Sequence, residues 1–286
     1  MSRAVMLRQF PPQNPPLTRG YDKKEMETQT KLWTEQEARR LLELEADAIF
    51  GLDHRQDHPV GTFTPHGVNN RNVYAAHLWS PQAQFTVRQA DIPVTVDEES
   101  SRQNYIPGEI PLLLRRLCSL LNLPLSCIQG GPSYVVPLDI LMDSTQQPRT
   151  ALPILTSSDD SQVRQAKELA LPDNWEADEW AELLGGKLGP WAMAVDGREP
   201  VSICFSARRT PKAAEAGIWT HTRHRGKGLA PAIVAAWARL EARGKEAIFY
   251  STSASNTASQ SVALKLNLKL LGWIWKLEKP AGEETQ

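Results

Sequence analysis

Only three cysteines occur in the 286 residues, Cys118, Cys127 and Cys204, and none stands in C-x-x-C spacing. That leaves no pattern for a zinc ribbon or a disulfide framework, and their apolar surroundings predict reduced core thiols. Charge of one sign is also lacking: 32 Lys and Arg stand against 33 Asp and Glu, a net of −1. A general nucleic-acid binder needs an excess of basic residues on one face, so the expectation is no nucleic-acid partner. No apolar run approaches the roughly 18 residues of a membrane helix, and the N-terminal residues lack the charged-then-apolar order of a secretory signal. The expectation is therefore a cytoplasmic protein without a membrane partner. No Gly-Lys-Ser/Thr is present for a P-loop, and the acidic residue of a Rossmann fingerprint is missing after the one glycine-bearing basic turn.

With 41% hydrophobic residues, the chain can bury one large or two modest cores. Residues 1–31 are rich in Pro, Gln, Thr and charge and read as a disordered tail. Thr34 and Glu37 form a capping box ahead of a helix through Ala38, Leu41, Leu42 and Leu44. Ala48–Leu52, Asn72–Trp79 and Gln84–Arg88 read as strands, Pro107–Leu121 as a helix, and Gly130–Pro137 as a loop and short strand. His54, His58, His66 and His77 lack metal-ligand spacing and read as loop histidines, so no metal is expected. Farther on, Pro153–Thr156 reads as a strand, followed by helices over Asp160–Leu169 and Trp175–Leu184, the second capped by Asp173 and Asn174. Trp191–Val195 and Val201–Phe205 flank Asp196-Gly197, the turn chemistry of a hairpin. A boundary near residue 150 divides an N-terminal α+β domain (32–150) from a C-terminal domain (151–286).

The stretch Glu215–Leu240 organises the rest. A short strand through Ile218, Trp219 and Thr220 runs into the turn His221–Lys227 and then a helix with Leu229, Ile233, Trp237 and Leu240 on one face. Pro231 suits its first turn, where an amide has no internal partner. Gly226 and Gly228 remove Cβ atoms that would keep a ligand off the backbone, and Arg223, Arg225 and Lys227 add charge at the helix start. Free amides and about half a positive charge make such a helix start an anion site, and the predicted anion is a pyrophosphate. Two frames fit R-x-x-G-x-G/A, one through Arg225, Gly228 and Ala230 and one through Arg223, Gly226 and Gly228.

Downstream, Glu246–Ser251 reads as a buried strand and Asn256–Leu266 as a second helix carrying N-x-A-S-x-x-V-A-x-K-L. In this order of strand, turn, helix, strand and helix, the chain resembles the GNAT superfamily of acyl-CoA-dependent N-acetyltransferases over roughly Leu188–Leu277. Some members are similar upstream too, through a G-P-x-Y segment and the runs Leu188–Trp191 and Ala214–Thr220. The resemblance implies an α+β fold with a mixed, mostly antiparallel sheet flanked by helices. It implies acetyl-CoA as co-substrate, with pyrophosphate on the backbone amides of Arg225, Gly226, Gly228 and Ala230, pantetheine along Ile218–Thr220, and Asn256 and Ser259 beside the cofactor. Leu229, Lys227 and Arg223 complete that set. Asn256 reads equally as a helix cap.

Acyl transfer to an amine needs a base for the amine proton, a donor for the carbonyl oxygen and an acid for the leaving thiolate. Glu215 is the first candidate base, though Arg208, Arg209 or Lys212 offers it an ordinary cross-strand ion pair. His221 is the second, its usual pKa of roughly 6.5 suiting proton transfer near neutrality. Many family members place a tyrosine acid where this chain has Ala263, which leaves Tyr250 or Tyr134 for that role. Gly272 reads as a tight turn between the last strands, and Trp191, Phe205 and Trp219 read as core. The function expected is N-acyl transfer to a small-molecule amine by a monomer or homodimer whose N-terminal domain shapes the acceptor pocket. A non-catalytic acyl-CoA sensor and a protein or peptide N-acetyltransferase are the alternatives.

Overall fold

The computed structural model describes residues 33–52, 61–63, 72–92, 103–137, 150–173 and 175–280. The predicted tail, and His54, His58 and His66, lie outside them. Two compact units divide the described residues, one holding those of Val135–Tyr250 and Ala258–Lys269, the other those of 33–134, Ser251–Thr257 and 270–280. The division does not follow chain order. A single cut near residue 150 does not reproduce it, because Leu270 onward belongs with the N-terminal half.

In that half, helix α1 (Glu35–Phe50) begins at the expected capping box, with the Thr34 amide on Glu37 Oε2 at 2.8 Å and the Glu37 amide on Thr34 Oγ1 at 3.2 Å. It runs farther than the sequence suggests. Ala48–Phe50, read as strand, continue the helix until Gly51, at φ +62°, closes it by donating its N–H to Asp47 O. Strand β1 (Thr62–Phe63) is parallel to β3 (Gln84–Gln89), and β2 (Val73–Trp79) is antiparallel to β3. Helix α2 (Leu112–Leu120) starts at Pro111 rather than Pro107, because Gly108 at φ +78° turns the chain first. The predicted loop at Gly130–Pro137 is largely strand β4 (Ile128–Val135). Gly130 fits there because a Cβ would meet the Trp275 ring at 2.4 Å.

Gly272 is not a turn. Strand β10 (Lys269–Glu278) passes straight through it, antiparallel to β2, and a Cβ at 272 would lie 2.1 Å from Trp79 O. Close backbone approach is what requires glycine at this point. The strand order in this unit is β1-β3-β2-β10-β4. Its core gathers Leu114, Leu117, Cys118, Cys127, Trp273 and Trp275. His77 is no loop residue: it is buried on β2 with Nδ1 2.8 Å from Thr86 Oγ1, and burial pushes its pKa down to about 4. Glu45, buried on α1, accepts a short hydrogen bond from Ser133.

The other unit orders β5 (Ile154–Thr156), β6 (Trp191–Asp196), β7 (Glu199–Arg209), β8 (Ala213–Thr220) and β9 (Ala247–Ser251) side by side. The first four are antiparallel neighbours, and β9 is parallel to β8. Helices α3 (Asp160–Lys167) and α4 (Ala177–Leu184) lie between β5 and β6 in the chain, α5 (Leu229–Glu241) between β8 and β9, and α6 (Thr257–Lys265) after β9. Helix α4 is capped by Glu176 and Glu179 in a capping box; Asp173 precedes this cap, and Asn174 lies outside the described residues. Asp196-Gly197 does turn the β6–β7 hairpin, with Gly197 at φ +62°. Trp175, Trp180, Trp191, Met193 and Phe205 form the core beneath α3 and α4, and half-buried Trp219 packs against it. This is the α+β architecture expected, a mixed and mostly antiparallel sheet with helices beside it.

All three cysteines are free and buried, and burial raises the Cys204 thiol well above its ordinary value. Among the described residues no helix is long and apolar enough to cross a membrane, and no group of His, Cys, Asp and Glu could hold a metal ion.

Candidate functional site

Strands β8 and β9 pair over three rungs only, Ala213 with Ala247, Ala214 with Ile248 and Glu215 with Phe249. Beyond Glu215, strand β8 continues for five residues with β7 alone, from Ala216 opposite Ser206 to Thr220 opposite Ser202. The register of β7 and β8 shifts at the same place, between Ser206 and Arg208. A bulge that adds local twist coincides with the point where two strands part. Ile218, Trp219 and Thr220 lie on the freed length and are half-buried. An extended ligand can pair with a strand edge of this kind through backbone hydrogen bonds.

At the end of β8 the chain makes a 3-10 turn over Thr222–His224 and enters α5 through Gly226 and Gly228. Both glycines have left-handed backbone, φ +76° and +78°, and a Cβ on either would point into open space. No side chain caps the helix start. The amides of Arg223, His224 and Arg225 have partners inside the turn, namely His221 Nδ1, His221 O and Thr222 O. The Arg225 amide is therefore engaged within the turn. The amides of Gly226, Gly228 and Ala230 remain from the expected set, with Lys227 and Leu229 between them. Arg223, Arg225 and Lys227 are exposed, and Arg225 Nε donates to Thr220 O at 3.2 Å. Amides, a helix start and three cations thus lie within a few residues of one another, the elements from which an anion site is built.

The other predicted residues fall in two places. Glu215 is buried at the last rung before the strands part, facing Arg208 on β7 and Phe249 on β9. Arg209 and Lys212 pair instead with Glu241 and Glu246, at 3.2 and 3.5 Å. Tyr250, one residue past that rung, is buried, and its hydroxyl lies 2.6 Å from Ser259 Oγ on α6. Burial pushes its pKa up, against the smaller lowering from the Ser259 hydrogen bond. Ser259 and Ala263 are one helical turn apart on the same face of α6, and Ala263 is fully buried. Asn256 immediately precedes α6. Tyr134 is buried at the end of β4, in the unit that does not contain β8.

His221 lies six residues beyond Glu215, about 20 Å along an extended strand, so the two cannot serve one reacting centre. Its ring is also engaged on both sides. Nδ1 accepts the Arg223 amide at 3.2 Å, which places the proton on Nε2, and Nε2 is 3.3 Å from Asp173 Oδ2. His224 Nε2 is likewise 3.2 Å from Asp196 Oδ2.

Two features were not anticipated. Neither Asp173 nor Asp196 carries a sequence signal for its histidine, 48 and 28 positions away by number (221 − 173 and 224 − 196). The second is a buried polar network: Trp237 Nε1 donates to Ser206 Oγ at 3.1 Å, and Ser206 Oγ donates to Glu241 Oε1 at 2.5 Å. Arg209 completes it at 3.2 Å. These bonds fix α5 on β7 and so set the direction in which its amide end points.

Residues 146–269 match the sequence model of the acetyltransferase (GNAT) domain. This segment, under half of the chain, carries a GNAT acetyltransferase domain, a family whose general chemistry is acyl transfer from acyl-CoA. No curated protein matches the sequence. Among solved structures it is similar to a tandem GNAT protein from the clavulanic acid biosynthesis pathway, with 17% identity over 63% of this chain and 63% of that one and a TM-score of 0.43. A GCN5-related N-acetyltransferase-like protein from Streptococcus suis has 15% identity, covers 71% of this chain and 83% of that one, and has a TM-score of 0.39. A GNAT-family structure from Novosphingobium aromaticivorans has 18% identity over 53% of this chain and a TM-score of 0.37; the chain spans 65% of its length, less than two thirds.

Proposed function

We propose that the chain is an acyl-CoA-dependent N-acyltransferase that passes the acetyl group of acetyl-CoA to an amine of a small molecule by direct attack. The observation that carries this reading is the parting of β8 from β9 beside an uncapped, glycine-lined helix start. The freed edge of Ile218–Thr220 takes the pantetheine arm. The amides from Gly226 to Ala230, with Arg223, Arg225 and Lys227, hold the pyrophosphate. The residues fit the co-substrate, since both glycines have left-handed backbone with open space where a Cβ would stand, so the backbone amides are accessible to an anion.

Glu215 serves as the base that takes the amine proton, directly or through water, because it stands where the strands divide. His221 is set aside for that role, its one lone pair being held by the Arg223 amide. Tyr250 and Ser259 form the hydroxyl pair next to the branch, and through them a proton reaches the leaving thiolate. No covalent enzyme intermediate is needed. The acceptor class expected is a small amine, an amino acid or an amine-bearing antibiotic.

Calorimetric titration of acetyl-CoA into the wild type and into Gly228→Asp tests the cofactor site, and release of CoA thiol across an amine panel tests turnover. Binding by the wild type alone, with thiol release on some amine, is the expected result. Binding without release from any amine or peptide would favour an acyl-CoA sensor, the reading that Ala263 in place of a tyrosine supports. Release on peptides alone would replace the small-molecule acceptor with a protein one, and absence of binding would refute the acyltransferase.

A further inference from the structure

Glu215, Gly217 and Trp219 share one side of the sheet, and Ala216, Ile218 and Thr220 the other, because successive strand residues alternate. Contacts identify both sides. Thr220 and Ser202, opposite it on β7, have their hydroxyl oxygens 2.8 Å apart on the second side. Trp219 marks the first, since it packs on the core of Trp175, Trp191, Ile203 and Phe205 beneath α3 and α4. Phe205 stands opposite Gly217 on β8, and a Cβ at 217 would lie 2.6 Å from the far end of its ring. Glycine is what lets that ring cross β8 midway between Glu215 and Trp219.

The Phe205 ring is fixed from behind. Trp175 meets it edge-on at 5.7 Å, and Trp180 meets Trp175 in the same way at 5.9 Å. Gly217 and Trp219 are half-buried, so this strip keeps surface that a ligand can cover. Charge along it is sparse. From Ile203 to Arg208 on β7 and from Glu215 to Thr220 on β8, Glu215 is the one carboxylate, and Arg208, its cross-strand neighbour, is the one cation. Two residues of strand, about 7 Å, separate the position of the carboxylate from the rung where Phe205 lies. The strip thus offers a single proton acceptor at one end and aromatic rings over the rest.

We propose that the acceptor is an aromatic monoamine, an arylalkylamine whose amine lies at Glu215 and whose ring rests against Phe205 and Trp219, so that these two side chains set acceptor specificity. This rests on the acyl-CoA reading with Glu215 as base, and narrows the acceptor class. The amine nitrogen bonds to the acetyl carbon, the carbon–sulfur bond breaks, one amine proton passes to Glu215, and the departing CoA thiolate takes up a proton. A short alkyl linker spans the interval between carboxylate and ring. Ring against ring gains more than its buried area alone supplies. A second ammonium group on the acceptor would meet Arg208 instead of a carboxylate, which selects against polycationic amines.

Steady-state release of CoA thiol with phenethylamine, butylamine or diaminobutane as acceptor tests the class. The wild type should use phenethylamine with a kcat/KM about tenfold or more above that for either aliphatic amine, the size of one good aromatic contact. Trp219→Ala should raise the phenethylamine KM about tenfold while kcat and the butylamine KM stay within about twofold, because only binding of the ring is lost. Trp219→Phe keeps a ring and should stay within about threefold of the wild type. Phe205→Leu, a second and smaller change, should shift KM in the same direction as Trp219→Ala. Preference of the wild type for an aliphatic amine, or an equal rise in KM for phenethylamine and butylamine in Trp219→Ala, overturns the aromatic acceptor while leaving the acyltransferase standing. Failure of the wild type to bind acetyl-CoA in the titration refutes both.

Discussion

Glu215 stands opposite Phe249 at the last rung where β8 and β9 are joined, and Tyr250 is the next residue along. A buried carboxylate and a buried hydroxyl thus flank the point where two parallel strands begin to part. The proposed base and acid come from neighbouring strands, on opposite faces of the sheet because consecutive strand residues alternate.

Replacing Tyr250 with Phe should leave acetyl-CoA affinity within about twofold while lowering kcat by about 100-fold, the lower end of what a positioned proton donor contributes. Ser259→Ala should follow it in the same direction. Steady-state kinetics on the best amine from the panel checks both, and an unchanged kcat in Tyr250→Phe would remove the pair from the mechanism. Because burial raises the Tyr250 pKa above its ordinary value, no loss of activity from its ionisation is expected up to about pH 10.

Gly228→Asp should abolish acetyl-CoA binding, since its carboxylate would occupy the opening meant for an anion. The left-handed backbone there adds a cost of about 1–2 kcal/mol to most non-glycine residues, so folding must be controlled for. Gly228→Asn provides that control, as asparagine tolerates this conformation and brings no charge. The asparagine variant should bind measurably better than the aspartate one in calorimetry. Equal binding by the two would mean that no anion sits at this turn.

Glu241→Ala should destabilise the protein by about 2 kcal/mol, because it leaves the buried Ser206 hydroxyl without its carboxylate acceptor. Arg209→Ala should cost less, since the Arg209 side chain is 45% exposed and the Glu241 carboxylate keeps its bond from Ser206. Urea unfolding of the two variants compares them. A larger loss in Arg209→Ala would reverse the assigned order.

His77 makes the fold sensitive to acid. Its folded pKa of about 4 lies below the ordinary 6.5, so between those values the unfolded chain binds a proton that the folded one does not. Stability on this account is constant above about pH 6.5 and falls as pH drops toward 4, by about 3 kcal/mol in all. His77→Gln should flatten that part of the profile. Urea midpoints at pH 7 and pH 4.5 measure the difference, and an equal acid loss in wild type and variant would place the sensitivity elsewhere.

Much of this was legible from local chemistry. The Thr34 and Glu37 capping box, the Asp196-Gly197 hairpin, the helix from Leu229 with Pro231 in its first turn, and the buried β9 each follow from a few adjacent residues. Where local signals competed, they misled. Ala48–Phe50 carries β-compatible residues, yet the helix before it runs on until Gly51 gives it an exit. Gly272 carries a turn signal, yet it lies inside a strand because the Trp79 backbone passes too close for a Cβ. His77 lies in the apolar run Val73–Trp79, and only the burial of that strand in the sheet shows why it stays neutral.

By itself, the sequence determined the kind of site: glycines without Cβ atoms, cations and a helix start brought together within a few residues, because an anion cradle is built from consecutive backbone amides. Tertiary structure alone decided what surrounds that cradle. It set the rung at which β8 and β9 separate, the pairing of Tyr250 with Ser259, the Ser206–Glu241 lock and the joining of His221 to Asp173. Each of these is a contact between residues distant in the chain or on different elements. Such contacts depend on register and packing direction, which no local pattern of residue types encodes.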